Sequence, residues 1–335
     1  MVENETPQLT AGEAELYDRQ IRLWGLESQK RLRAARILLV GLNGLGAEVA
    51  KNIILAGIKS ITLMDDKNVS LEDSASQFLC PTEDIGRNRA ETSLHRAQAL
   101  NPMVEINVDT SKIGEKPEEF FECFDVVCVV EQPLDVLIKV NNICRKYDIK
   151  FLCGDVWGMF GYTFGDLKNH EYAEDLITYK TETSAVGKPK NITVTTTKKG
   201  YLAFVPLKSV LTRDYKSASF LKTIKRNGPC YLAMQVLHNF RSQYHRDPSP
   251  SNKEEDLKNL NTLRKELLSE TGVDESLFGE DFFNHVISLI SPACAIIGGI
   301  LGHEIIKAVS QREKPHDNLF FFNPLNCAGY VDCVR

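Results

Sequence analysis

With 335 residues, 43% of them hydrophobic and 25% charged, the chain can bury a large core, as one large domain with an insertion or as two domains. The net charge of -5 argues against a nucleic-acid binder that works through a broad basic surface. The N-terminal MVENETPQLTAGEAELYD has no secretory h-region and the apolar run 293–302 is about half a bilayer span, so a soluble intracellular protein with no membrane partner is expected.

Residues 13–35 read as two short helical pieces broken at Gly25, with Leu16, Ile21, Trp24, Leu26 and Leu32 as apolar positions. ILLV (37–40) is a continuous buried strand. A helix from about Leu45 to Ala56 stops at Gly57, and SITLMD gives a second strand, so this is a βαβ unit with a right-handed crossover. RNRAETSLHRAQALN, VEINVD, DVVCVV, DVLIKVNNICRKY and IKFLCG continue as helix, strand, strand, helix and strand. The fold class is α/β, a Rossmann-like doubly wound mixed sheet.

YTFGDLKNHEYAED and NITVTTTKKGYLAFVPL, on either side of a polar break at 180–190, alternate more and predict antiparallel strands with one wet face. PCYLAMQVLHNFRSQY, LKNLNTLRKELLSE and EDFFNHVISLI interrupt the α/β pattern as a helical insertion. The expected division is 1–207 for the Rossmann-like half with its N-terminal arm, 208–285 for the insertion, and 286–335 for the helix and hairpin that complete the α/β domain. Gly298 and Gly299 form a small-residue seam for close helix packing, within the chain or against a partner.

Nine scattered cysteines without a C-x-x-C pair read as reduced core thiols, and the seven histidines show no H-E-x-x-H, so no metal site is expected. Cys230 opens a predicted helix, where the dipole would favour a thiolate, but reads as a structural thiol.

The strand-to-helix turn RILLVGLNGLGAEVAKN (36–52) carries Gly41, Gly44 and Gly46, and Asp65 ends the second strand where a carboxylate would meet a ribose hydroxyl. Unpaired helical N–H groups at such a turn suit phosphate. Asn43, however, stands where the fingerprint wants its second glycine. From these residues alone the turn is either a nucleotide site or a packing turn.

YDRQIRLWG (17–25), the glycine turn, GRNRAETSLHRAQALNP (86–102), GDVWGMFGYTF (154–164), PACAIIGGILGHEIIKA and FFFNP together resemble, in order and over nearly the whole chain, the adenylation half of ubiquitin-like-modifier activating enzymes, with their ThiF/MoeB-like fold. Length and the small insertion are most similar to the small subunits of the SUMO-activating branch; a Nedd-type subunit would carry a larger insertion. In that family two such halves pair. One adenylates the modifier's C-terminal glycine with ATP and Mg2+, and a cysteine in a separate domain then takes the modifier as a thioester.

Against the active pattern, D-x-D followed by S-N-L-N-R-Q-F, this chain reads DDKNVSLEDSASQF. Lys67 replaces the second aspartate, Asp73 the asparagine and Ser76 the arginine, while Arg89 stands at the catalytic lysine position and Gln132 at the magnesium aspartate. The paired zinc cysteines are missing. The resemblance therefore implies an inactive half whose Gly41, Gly44, Gly46 and Asp65 are vestigial, with ATP, Mg2+ and the nucleophile in a large catalytic partner subunit. It implies that SUMO is reached through that heterodimer, that Arg19 of Y-x-R-Q contacts the partner's ATP in trans, and that the protein resides in the nucleus, with the cytoplasm as a second location; KPKN (188–191) and TTKKG are too thin to be import signals. Trp24 is expected to anchor that segment, and Arg22 to neighbour Arg19. Rival readings are a self-sufficient ThiF/MoeB-like adenylating homodimer, a Rossmann NAD-dependent dehydrogenase, and a scaffold whose Arg19 touches no nucleotide.

Overall fold

The computed structural model describes residues 10–182 and 190–334; the first nine residues, most of the polar break and part of KPKN lie outside them. The continuous apolar runs form five parallel strands: β1 (Arg36–Val40), β2 (Ser60–Met64), β3 (Glu105–Asp109), β4 (Val126–Val130) and β5 (Lys150–Trp157). Their order is β3-β2-β1-β4-β5. The strand β6 (Phe160–Asp166) then returns antiparallel beside β5. The sheet ends with β9 (Leu319–Asn323) and β10 (Ala328–Asp332), the expected C-terminal hairpin. The sheet is doubly wound and mixed, as the sequence predicts.

Alternation of side chains along a strand sends neighbours to opposite faces. Ile37 and Leu39 of β1 join a core beneath α4 (Gly44–Leu55), α5 (Arg89–Leu100) and α11 (Ser291–Ser310); Leu38 and Val40 join the other core, beneath α6 (Leu134–Lys146) and α9 (Cys230–Tyr244). Residues 208–285 supply α9 and α10 (Lys253–Thr271) to that second core, where Phe240 and Leu260 are fully buried.

The wet-face expectation fails for β6. Its residues are buried on both faces apart from Gly165, because it sits inside the sheet between β5 and β9, with apolar helices on either side. The alternating segments after it, β7 (Asn169–Glu182) and β8 (Lys190–Ala203), form a separate two-stranded antiparallel ribbon.

The N-terminal segment forms three helices, not two: α1 (Ala11–Leu16), α2 (Asp18–Trp24) and α3 (Leu26–Ala34), broken at Tyr17 as well as at Gly25, whose φ is +89°. Tyr17 is the anchor. It is 1% exposed, its ring lies against Gly57, and its hydroxyl accepts a 2.9 Å bond from Asn101 Nδ2. Trp24 packs on the core as expected, its Nε1 donating to Gln29 Oε1 at 3.0 Å. Leu16 and Leu26 are exposed instead of buried, at 58% and 45%, and Leu23 between them is exposed too, at 75%.

The small seam packs within the chain, with Gly302 rather than Gly299 as the second contact. A Cβ on Gly298 would lie 2.5 Å from Glu48 Cβ and one on Gly302 2.8 Å from Asn52 Cβ, whereas one on Gly299 meets nothing, so α11 lies parallel to α4 along a Gly-x-x-x-Gly face. The run 293–302 is part of this 20-residue helix, which is long and apolar enough to span a bilayer but is mostly buried in the protein. It serves as a core helix. Of the nine cysteines, Cys123, Cys327 and Cys333 are exposed and not core thiols.

Candidate functional site

Where strand order reverses between β1 and β4, a doubly wound sheet leaves a crevice at the carboxyl ends of its strands. Here it is a cleft of about 1160 Å³ lined by Asn43, Lys67, Arg89, Glu131, Trp157 and Asp247, among others. The glycine turn borders it through Asn43. Gly41 takes φ +88°, and a Cβ there would sit 2.4 Å from the Val130 carbonyl oxygen; one on Gly46 would sit 2.0 Å from the Gly41 oxygen, and one on Gly44 2.3 Å from Ser76 Oγ. Protein atoms therefore account for all three glycines.

Asn43 caps α4. Its Oδ1 accepts from the N–H groups of Leu45 (3.0 Å) and Gly46 (3.1 Å), the donors that such a turn would offer to a phosphate. Asp65, 4% exposed, is also committed: Oδ2 accepts from Leu42 N at 2.7 Å and Oδ1 from Lys67 N at 2.8 Å. Burial, and then the charge of Glu131, raises its carboxyl above the usual range.

The substituted positions meet in one charge network. Arg89 Nε donates to Asp73 (3.1 Å), Arg89 Nη1 to Glu131 (2.8 Å), with Asp65 at 3.5 Å, and Lys67 Nζ donates to the other oxygen of Glu131 at 2.9 Å. Three carboxylates thus face two cations. Burial opposes the ionisation of Glu131, but Arg89 and Lys67 outweigh it and hold the carboxyl below its ordinary value. Glu131 has left-handed backbone, φ 58°, which a residue with a side chain keeps only where its surroundings hold it. Its N–H donates to Asp155 Oδ1 at 3.0 Å.

A second cluster closes the far wall. Arg241 on α9 donates to both oxygens of Asp155 (2.8 and 3.2 Å), to both of Asp247 (2.8 and 2.9 Å) and to the Gln132 carbonyl (3.0 Å), with its guanidinium 4.9 Å from the centroid of the Trp157 ring. Trp157 Nε1 donates to Asp247 at 2.9 Å. Burial opposes Asp247 ionisation, and Arg241 overcomes it. Asp155 lies in the stretch GDVWGMFGYTF, whereas Glu131, Arg241 and Asp247 lie outside the quoted motifs; only the fold brings the four together.

These residues do not fit a nucleoside triphosphate with its metal. The helix N–H groups, the ribose-facing carboxylate and both cations are already satisfied by protein atoms. Gln132, expected at the magnesium position, meets the network through its carbonyl. Among the described residues no group of three or more His, Cys, Asp or Glu side chains is arranged to hold a metal. Cys230 is fully buried, and burial pushes its thiol up to about 12, which suits a structural thiol and not a nucleophile.

Arg19 lies away from the cleft. It is exposed on α2 and makes no ion pair among the described residues; its neighbour Gln20 donates to Leu55 O at 3.0 Å, at the C-terminal end of α4. The 12 residues of α4 span about 18 Å, which separates Arg19 from its own glycine turn. Arg22 pairs with Asp18 at 3.0 Å, four residues back on the same helix.

The ThiF family profile matches residues 17–332, and the chain belongs to that family. Within it, the chain is similar to proteins named SUMO-activating enzyme subunit 1: 45% identical over 348 residues to that of Xenopus tropicalis and 46% over 347 to that of Homo sapiens, each alignment covering 100% of this chain and 99% of the relative. For the protein of that name from Danio rerio the identity is 43% over 339 residues, covering 99% and 97%.

Proposed function

We propose that this chain is the non-catalytic small subunit of a heterodimeric SUMO-activating enzyme. It pairs with a large catalytic subunit that binds ATP and Mg2+, and it supports adenylation and thioester activation of SUMO by presenting Arg19 to the partner's nucleotide. It works in the nucleus. The observation that carries this reading is the full-length identity of 43–46% to proteins named as subunit 1 of that enzyme. Two structural features support it: the chain's own nucleotide-type turn is capped by Asn43, and Arg19 is exposed beside the apolar Leu16, Leu23 and Leu55, a surface suited to burial against another chain.

Attack of a carboxylate on the α-phosphorus develops charge on the departing pyrophosphate, and a guanidinium held in fixed geometry stabilises it. By comparison with arginine fingers the ceiling on such an effect is about 10³–10⁵ in rate. The test is Arg19→Ala in the reconstituted heterodimer. Assembly on size exclusion should persist while SUMO-dependent ATP–pyrophosphate exchange falls at least tenfold. Normal exchange at saturating ATP would overturn the role of Arg19 and leave the chain a scaffold.

A further inference from the structure

An inactive site can lose its ligand-binding groups or keep them and fill the space with its own atoms. Two cations line this cleft, Arg89 (9% side-chain exposure) at the position of the family's catalytic lysine and Lys67 (45%) at that of an aspartate, and each is held by a carboxylate oxygen of Glu131 at 2.8–2.9 Å. A buried arginine needs such partners, because an unpaired charge in that position would be costly. Asp73 takes the Nε edge of the guanidinium and is itself fixed by the Ser70 N–H at 2.8 Å. Glu131 reaches both cations from left-handed backbone at the end of β4, at the switch point of the sheet.

We propose that Glu131 and Asp73 are built-in replacements for an oxyanion: their carboxylate oxygens occupy the positions on Arg89 and Lys67 that the oxygens of a pyrophosphate-class ligand would take. The cleft thereby keeps a ligand-loaded shape with no ligand. This rests on the reading of the chain as the inactive half, and it assigns the closure to these two side chains in addition to Asn43. Charge gives the same direction. Three carboxylates face two cations in this network, with Asp247 acting on Lys67 and Glu131 besides, which disfavours an anion; two neutralising amides remove two of those negative charges.

The test uses the isolated full-length chain, with inorganic pyrophosphate as the probe, in titration calorimetry and thermal unfolding. Wild type should show no saturable binding and no pyrophosphate-dependent rise in Tm. Asp73→Asn/Glu131→Gln should bind at least tenfold more tightly than wild type, and its Tm, lowered without the anion, should rise as pyrophosphate is added. Glu131→Gln alone should show an intermediate gain and serves if the double variant is poorly folded. Folded variants that gain neither binding nor anion-dependent stability would overturn the inference and leave the inactive-half reading standing. Tight binding by the wild type would overturn both.

Discussion

Removal of the Arg241 guanidinium tests how far α9 holds the cleft together. The side chain is 5% exposed and bridges two carboxylates, Asp155 and Asp247, with four bonds of 2.8–3.2 Å and a fifth to the Gln132 carbonyl. Arg241→Met keeps much of the apolar stem and leaves two buried carboxylates without a counter-charge. Breaking a buried pair from one side costs about 3–5 kcal/mol. With m taken as ~3 kcal/mol/M, the urea midpoint followed by circular dichroism should fall by about 1 M or more. The loss should shrink at lower pH: burial already holds the Asp155 carboxyl at about 6, so below that value a proton takes over part of the guanidinium's role. Asp155→Asn in the Arg241→Met background should recover part of the loss. A variant within 1 kcal/mol of wild type at pH 8 would refute the idea that this arginine ties α9 to the ends of β4 and β5.

Gly298→Val forces a branched side chain onto Glu48 Cβ, 2.5 Å from the first added carbon, and should cost about 1–3 kcal/mol in urea unfolding, whereas Gly299→Ala, facing open space, should be neutral or stabilising. Equal effects would show that α4 and α11 are not packed as described. Burial, and then Arg241, lowers the His238 pKa to about 3, so the unfolded chain takes up a proton below pH 6.5 that the folded chain refuses. Its stability contribution is complete above pH 6.5 and is lost as pH falls toward 3, at about 1.4 kcal/mol per pH unit. His238→Gln should flatten the stability profile over that window, and an unchanged slope would count against it.

The parallel half of the fold was legible because β1, β4 and β5 are buried on both faces and so read as unbroken apolar runs, with glycine and Asn-Pro punctuation between them. The N-terminal arm was less so. Tyr17, which looks like one residue of a helix face, is an anchor whose partners Gly57 and Asn101 are distant in sequence, and its position shifts the leucines around it to the surface. In the cleft the substitutions at Asn43, Lys67, Asp73 and Arg89 were readable one at a time, but not their mutual pairing. Glu131, one residue before the position expected to matter, turns inward only because its backbone is left-handed. Arg241 and Asp155 are 86 residues apart with no local pattern to join them.

The helix α4 connects the two halves of the functional reading. At its N-terminus the positive end of the helix dipole, usable for an anion, is spent on Asn43, a local bond that stabilises the turn by about 1 kcal/mol and leaves the first free N–H groups satisfied. Its C-terminus receives Gln20 and Gln29, which donate to the Leu55 and Ala56 carbonyls at 3.0 Å and dock the arm that carries Arg19. An arm fixed to the far end of the helix cannot serve the turn at the near end, and a turn whose donors are occupied has no use for the arginine. The α4–α11 pair therefore holds the Arg19 cation at a set distance from a turn whose donors are occupied, which supports the proposal that Arg19 acts on a nucleotide held by a second chain.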